Sequence, residues 1–249
     1  RIQRPRYQTT CRCAQLPGIV TAPPAPRVIP KSPLGVSVWT MVLLDKYLYS
    51  RPTHRLCQEL VHHGFPLSQG TITEGLQPLK GLFEPLMPVL YERQMTEKLF
   101  HGDETRWEVF EEVEGKTGHR WYLWVMRSAS VVYYRMAPGR GADVPKGHFA
   151  KLRKDLLEVV LVCDRYSAYK SLALDWDELI LAFCWAHVRR DFLKAARSWP
   201  ELERWMFTWV DDIRALYRLN AVRLEPWDMG LPLEQQSSAF AQSQRDLEM

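Results

Sequence analysis

The hydrophobic pattern of the chain changes along its length and divides it into four regions. Residues 1–33 are rich in proline and basic residues, which predicts an extended arm because proline cannot continue a regular helix. In residues 34–95 apolar side chains recur at helical spacing and predict a small all-helical domain. In residues 96–225 short apolar runs of strand length alternate with helical segments, which indicates an α/β domain. Residues 226–249 are rich in Gln and Ser and predict a tail.

The helical region contains a candidate helix-turn-helix. Gly64 stands where a helix C-terminal cap is expected, and Ser68 can cap the helix that follows. Three prolines are expected to break the next segment into short pieces: Pro78, Pro85 and Pro88. This outline is typical of DNA-binding helix-turn-helix units. A plain helical hairpin has the same pattern, however, and Gly70 and Gly75 weaken the second helix.

The α/β region predicts a mixed sheet. An antiparallel meander of three strands comes first, over Lys98–Trp107, Trp121–Met126 and Val131–Tyr134. An amphipathic segment, Phe149–Leu157, then predicts a crossover helix that leads into a parallel strand at Val159–Val162. A further strand at Leu179–Phe183 and a long helix around Trp205–Leu216 follow. Three antiparallel strands, a helix and parallel strands with flanking helices are the order of the ribonuclease H-like fold.

Two aspartates belong to strands that this fold would place side by side. Asp164 directly follows the Val159–Val162 strand, where ligand sites of α/β sheets gather, although it could simply cap the next helix. Asp103 lies on the first strand, whereas Glu104 should point to the opposite face. Two neighbouring carboxylates need counter-charge, which a two-metal Mg²⁺ (or Mn²⁺) site supplies. The pattern therefore indicates metal-assisted phosphoryl chemistry.

The amino-acid composition is that of a globular protein and does not by itself indicate a function. A hydrophobic fraction of 46% and a charged fraction of 25% are ordinary for a globular protein, and no apolar run approaches a membrane span. The net charge of +4 is compatible with nucleic acid but argues only weakly for it. Five cysteines at irregular spacing fit a reducing compartment. Cys11 and Cys13 could be half of a zinc knuckle, or two solvated thiols.

Further candidates follow the second aspartate. Cys184 and His187 have C-x-x-H spacing, which permits a structural or bracing role beside the site, a DNA contact by His187, or half of a zinc site. Three arginines could reach DNA phosphates, and solvated surface arginines are the alternative: Arg165, Arg189 and Arg190.

Three motifs resemble the DDE transposases of the insertion sequence 66 family (TnpC type): HGDETRW at 101–107, CDRYSAY at 163–169 and CWAHVRRDF at 184–192. The resemblance runs in order from about Tyr7 to at least Leu224. It implies a bacterial, cytoplasmic enzyme that cleaves and joins DNA at the ends of a mobile element, a homo-oligomer when full length, with no membrane association. It also implies that Asp103 and Asp164 are the first two catalytic acids and bind Mg²⁺ or Mn²⁺.

The chain departs from that family at the third acid, a Glu expected in an Asn-Asn-x-x-Glu-Arg context that does not occur here. The glutamates of the last third of the chain lack this context: Glu201, Glu203, Glu225, Glu234 and Glu248. We therefore expect a fragment with an incomplete site, inactive alone, with Cys11 and Cys13 a remnant of a Cys-rich region and 226–249 a truncated insertion. A non-catalytic DNA-binding remnant and a zinc-dependent interaction module are the alternatives.

Overall fold

A computed structural model describes residues 3–10, 18–152, 156 and 158–248, apart from the side chains of residues 226–228, 247 and 248. The chain folds as two compact units, Arg1–Val89 and Leu90–Met249. Cys11 and Cys13 lie outside the described residues, so the zinc-knuckle prediction stays a prediction. No helix in the described part of the chain is both long enough and apolar enough to cross a bilayer.

The first unit is a short hairpin followed by helices. Strands β1 (Arg6–Gln8) and β2 (Ile19–Thr21) pair antiparallel within the region predicted as an extended arm. The helices are α1 (Val36–Leu43), a π-helical turn (Leu44–Leu48), α2 (Thr53–His62) and α3 (Gln69–Phe83). Their apolar faces form one core, and its most deeply buried side chains are Val42, Leu56, Ile72 and Leu79.

The two predicted caps of this unit are confirmed. Ser68 Oγ accepts a hydrogen bond of 3.0 Å from the Thr71 amide at the start of α3. Gly64 adopts a φ of 68° directly after α2, and the Phe65 amide reaches back to the Leu60 carbonyl at 2.8 Å. Such a left-handed residue closes the end of a helix and satisfies its last carbonyls.

The predicted breaks at Pro78 and Pro88 are wrong, because α3 continues through Pro78 to Phe83 and the next helix, Leu86–Gln94, contains Pro88. Pro85 does separate these two helices. A proline inside a helix removes one backbone hydrogen bond, and here packing outweighs that loss. Gly75 in α3 has a packing function: a Cβ atom built there would lie 1.8 Å from the Trp39 ring. Trp39 is 3% exposed, so α1 and α3 approach each other through this glycine.

The second unit is built on a five-stranded mixed sheet. Its strands are β3 (Leu99–Glu108), β4 (Arg120–Arg127), β5 (Val132–Ala137), β6 (Val159–Cys163) and β7 (Leu179–Phe183). Their order is β5-β4-β3-β6-β7. The β3–β4 and β4–β5 pairs are antiparallel, and the β3–β6 and β6–β7 pairs are parallel. This is the ribonuclease H-like topology, so the predicted fold class is confirmed.

Helices follow the strands of this sheet. They are α4 (Leu86–Gln94, which spans the division between the units), α5 (Asp143–Phe149), α6 (Ser167–Leu174), α7 (Trp185–Ser198), α8 (Glu203–Asp228) and α9 (Leu233–Glu248). The crossover helix was predicted to begin at Phe149, but Phe149 is the last residue of α5 and residues 150–152 form a turn. Residues 153–155 and 157 lie outside the described residues. Residues 226–249, predicted as a tail, contain the end of α8 and all of α9.

Alternation along β3 decides what each side of the sheet presents. Phe100 and Gly102 are buried on the core face. They pack with the apolar side chains of the neighbouring strands and of α6, among them Trp124, Leu161 and Tyr169. His101 and Asp103 are the intervening residues and are exposed, as the period of two along a strand requires. The acids of β3 therefore face opposite sides of the sheet.

Candidate active site

Asp103 lies within β3, and Asp164 directly follows the adjacent strand β6. In the parallel pairing of β3 with β6, Phe100 is opposite Leu161 and His101 is opposite Val162. Continuing this register by two residues sets Asp103 opposite Asp164, which directly follows β6. The sheet thus brings the two acids together although the chain separates them widely.

Asp103 is the more open of the two acids, with a side chain that is 54% exposed. Its Oδ1 accepts a 3.0 Å hydrogen bond from the Glu104 amide. The same oxygen lies 3.9 Å from Nε2 of His187, which α7 carries directly after β7. The distance is too long for a hydrogen bond, so the His187 ring lies beside the Asp103 carboxylate without a direct bond to it.

Asp164 is held more tightly and is 21% exposed. Its Oδ1 accepts a 2.9 Å hydrogen bond from the Tyr166 amide, and its Oδ2 lies 3.8 Å from Nη2 of Arg140. The alternative that Asp164 caps α6 is not what the structure shows, because Tyr166 occupies the N-cap position. Asp164 instead closes the turn between β6 and α6, which fixes its carboxylate at the strand end.

Glu104 faces the other side of β3, as predicted, and enters a buried ion pair. Its side chain is 1% exposed. Tyr169 Oη donates a 2.7 Å hydrogen bond to Oε2, and Arg140 donates to Oε1 from Nε at 2.7 Å and from Nη2. Burial raises the pKa of Glu104, although the bonds from Tyr169 and Arg140 work in the opposite direction. Burial also raises the pKa of Tyr169, with the charge of Glu104 adding to the effect.

Arg140 was missed by the sequence analysis, and it connects the two acids on either side of the site. Its guanidinium stacks on the Tyr166 ring at 3.7 Å from the centroid. Tyr166 Oη donates a 2.6 Å hydrogen bond to the Arg140 carbonyl. Burial alone would lower the pKa of Arg140, but the hydrogen bond and charge of Glu104 outweigh it, so the pKa is raised. Arg140 is therefore a fixed cation beside Asp164.

A cavity of about 250 Å³ opens beside Asp164. The predicted residues Arg165, Cys184, His187 and Arg190 line it together with Arg140. Arg189 is exposed and is not among the lining residues. The three arginines of the lining outnumber its two carboxylates, Asp164 and Asp191, which leaves a modest excess of positive charge for an anionic ligand.

The two cysteines near the site differ in their surroundings. The Cys184 amide donates a 2.8 Å hydrogen bond to the Cys163 carbonyl, which joins the start of α7 to the end of β6. Burial raises the pKa of the Cys163 thiol to about 12, and the neighbouring carboxylates add to the effect. Cys184 is half-buried. Its backbone position supports a bracing role for this residue.

Asp103 and Asp164 are the residues that could hold a divalent metal here. Carboxylate oxygens are the ligands that Mg²⁺ prefers, and the donor chemistry therefore fits. Among the described residues, no three His, Cys, Asp or Glu side chains come together in a way that could hold an ion.

Comparison with known proteins gives a family match over most of the chain. Residues 31–247 match the family described as "Transposase IS66 family". Three similar proteins come from Sinorhizobium fredii (strain NBRC 101917 / NGR234). Uncharacterized protein y4qI is 28% identical over 166 residues, 61% of this chain and 30% of y4qI. The uncharacterized proteins y4hP and y4jD are 24% and 26% identical over 78% of this chain and 36% and 39% of their own lengths. The chain thus spans about a third of the curated relatives it matches.

Two solved structures show weaker similarity. The HTLV-2 integrase catalytic core domain, solved in complex with magnesium, has a TM-score of 0.27 and 11% identity over 46% of this chain and 83% of its own. The Mos1 transposase paired-end complex with left transposon end has a TM-score of 0.26 and 13% identity over 89% of this chain and 82% of its own. At these scores the fold assignment comes from the strand order of this chain itself.

Proposed function

This chain belongs to the IS66 transposase family, and we propose that Asp103 and Asp164 form part of the site at which a bacterial insertion-sequence transposase cleaves and joins DNA strands. The observation that supports the proposal is the β3–β6 register, which, continued by two residues, brings Asp103 opposite Asp164 in the middle of a ribonuclease H-like sheet. We propose the activity for the whole protein, in the bacterial cytoplasm. From this chain alone we expect weak metal binding and no strand transfer.

The two acids would hold a divalent cation of the Mg²⁺ class. When bound, Mg²⁺ or Mn²⁺ supplies Lewis-acid chemistry for an in-line displacement at a phosphodiester. Asp103 is open to solvent and can turn its carboxylate toward an ion, whereas Asp164 is fixed by the Tyr166 amide. His187 lies close enough to Asp103 to orient it. The chain thereby contributes one mobile and one fixed carboxylate.

DNA would approach along the basic cavity beside Asp164. Arg165, His187 and Arg190 line it, and their side chains can contact phosphate oxygens. Arg189 is exposed on the same helix and could reach the DNA outside the cavity. Because phosphate contacts release counterions, we expect DNA affinity that falls steeply with salt. Oligomerisation of the full-length protein on two element ends remains part of this proposal.

Mn²⁺ titration of the purified chain, followed by electron paramagnetic resonance, tests the metal site. Asp103→Asn and Asp164→Asn should each weaken Mn²⁺ binding by more than about tenfold, since even an altered outer-shell partner costs about 10–100-fold. Asp211→Asn is the matched control, because Asp211 is 66% exposed on α8 and pairs with Arg214. Equal Mn²⁺ affinity in all four proteins would contradict the proposed site.

A DNA-binding role without catalysis is the second candidate, and the arrangement of α2 and α3 favours it. The two helices are joined by a turn at Gly64, and Ser68 caps the second one, as in a helix-turn-helix. In that case DNA affinity would survive both Asn substitutions unchanged, and Mn²⁺ would have no effect on it.

A further inference from the structure

The Glu104 carboxylate and the Arg140 guanidinium form a built ion pair on the inner side of the site. A carboxylate that is almost fully buried is unstable unless a cation and hydrogen-bond donors compensate its charge. Here Arg140 supplies the cation and two donors, and Tyr169 supplies a third donor at 2.7 Å. Glu104 is 1% exposed, so its charge acts on Arg140 with little screening by water.

Arg140 is held on a second side by Tyr166. The guanidinium stacks on the ring at 3.7 Å from the centroid, and Tyr166 Oη donates to the Arg140 carbonyl at 2.6 Å. The Tyr166 amide also donates to Asp164 Oδ1. One tyrosine therefore fixes both the arginine and the acid, and their relative position is set by the turn between β6 and α6.

The guanidinium also borders the candidate site, and its central carbon lies 6.0 Å from the centroid of the Tyr122 ring. Arg140 is 38% exposed, lines the cavity beside Asp164, and has Nη2 at 3.8 Å from Asp164 Oδ2. Its hydrogen bonds to side chains within the described residues use Nε and Nη2, both on Glu104. The donors of Nη1 are thus available to a ligand, and a planar guanidinium suits the oxygens of a phosphodiester.

We propose that Arg140 is a phosphate-binding residue of this site and that Glu104 is its positioning residue. The inference deepens the proposed function and rests on it, since the phosphate is that of a DNA strand placed beside Asp164. A cation held in one position beside the acid offsets the repulsion between Asp164 and the approaching phosphate. Glu104 acts only through Arg140, from the opposite face of β3.

Salt-dependent binding of a fluorescent DNA duplex, measured by anisotropy without divalent metal, tests the proposal. The slope of log K against log salt should become shallower by about one in Arg140→Gln, because one phosphate contact is lost. Arg140→Lys should retain the slope but bind more weakly, since lysine keeps the charge and loses the fork. Arg214→Gln is the matched control, because Arg214 is 58% exposed on α8 and outside the cavity.

Removing Arg140 alone leaves a buried carboxylate unpaired and could unfold the chain. The double variant E104Q/R140Q removes both charges and keeps neutral hydrogen-bonding groups in place. Its slope should equal that of Arg140→Gln, and Glu104→Gln alone should weaken binding only while Arg140 is present. Circular dichroism spectra identify which variants are folded.

Wild-type affinity and slope in the folded double variant would overturn the proposal, and so would a wild-type chain that binds no DNA at low salt. Neither result touches Mn²⁺ binding by Asp103 and Asp164, which tests the proposed function separately. If the two Asn substitutions leave Mn²⁺ affinity unchanged while Arg140→Gln still makes the salt slope shallower, the metal site is overturned and the role of Arg140 is not.

Discussion

Acid should destabilise the second unit through one buried histidine. His148, on α5, is 4% exposed, and its Nε2 lies 3.0 Å from Oε1 of the buried Gln94. Gln94 Nε2 already donates to the Met126 carbonyl at 2.8 Å, so its Oε1 is the acceptor and His148 Nε2 carries the proton. The neutral ring is thus satisfied, and protonation of Nδ1 would bury a charge among aromatic rings.

Burial, together with the smaller effect of the charge of Arg135, lowers the pKa of His148 from 6.5 to about 4. Between these two values the unfolded chain binds a proton that the folded chain does not. Stability is therefore complete above a pH of about 6.5 and falls as the pH drops toward 4. At 1.36 kcal/mol per pKa unit, the loss reaches about 3 kcal/mol.

Urea unfolding at a series of pH values between 4 and 7.5, followed by circular dichroism, measures this loss. Carboxylates titrate in part of the same range, so the comparison is with His148→Gln, whose amide can still donate to Gln94. The variant should have a flatter pH dependence over this interval, whatever its stability at neutral pH. The reasoning is refuted if wild type and variant lose stability in parallel.

Two other predictions concern packing and thiol reactivity. Gly75→Ala should destabilise the first unit by about 1–3 kcal/mol, because the added methyl group would overpack against Trp39. Gly81→Ala in the same helix is the control: its methyl group would meet nothing within 4 Å, so it should stabilise the unit by about 0.5–1 kcal/mol. Urea unfolding midpoints that shift in the opposite directions, or that are equal in the two variants, would contradict the packing argument. At pH 8, iodoacetamide should modify the half-buried Cys57 and leave Cys163 unmodified until the chain unfolds. The reason is that burial raises the pKa of the Cys163 thiol to about 12, so little reactive thiolate is present. Equal alkylation of the two cysteines, measured by mass spectrometry, would contradict this prediction.

The sheet could be predicted from sequence because its signals are local. Short apolar runs fixed β4, β6 and β7 to within one residue at each end, and the order of strands and helices then allowed few topologies. The placement of Asp103 and Asp164 on neighbouring strands followed from that topology alone. Ser68 and Gly64 were equally predictable, since a helix cap depends on a few adjacent residues.

Features that depend on packing were not predictable in the same way. Pro78 stays within α3 because buried Ile72 and Leu79 anchor the helix on either side of it. Hydrophobic periodicity does not tell whether this packing outweighs the backbone hydrogen bond that the proline removes. The helix α9 has a sequence rich in Gln and Ser that resembles a polar tail. At Pro78 the tertiary environment overrode the local propensity, whereas the Gln, Ala, Leu and Glu residues of α9 are themselves good helix formers.

The partner of Glu104 could have been predicted in kind from the sequence, although Arg140 itself could not. It lies in a Gly- and Pro-containing loop without periodicity, 36 residues from Glu104. Yet the alternation of β3 correctly put Glu104 on the core face, and a buried carboxylate requires a cation and hydrogen-bond donors. The inference that some arginine or lysine must face Glu104 was therefore available, although which one could not be read from the pattern.

The neighbouring acids of β3 divide two tasks that a single carboxylate could not perform together. Asp103 faces outward and 54% exposed, so it remains free to change partners. Glu104 faces inward and is committed to Arg140, whose guanidinium then presents positive charge to Asp164 on the next strand. Under the proposed function the site accepts both a cation and a phosphate, which calls for one adaptable acid and one fixed positive charge. The Asp-Glu pair on one strand supplies the first directly and the second through Arg140.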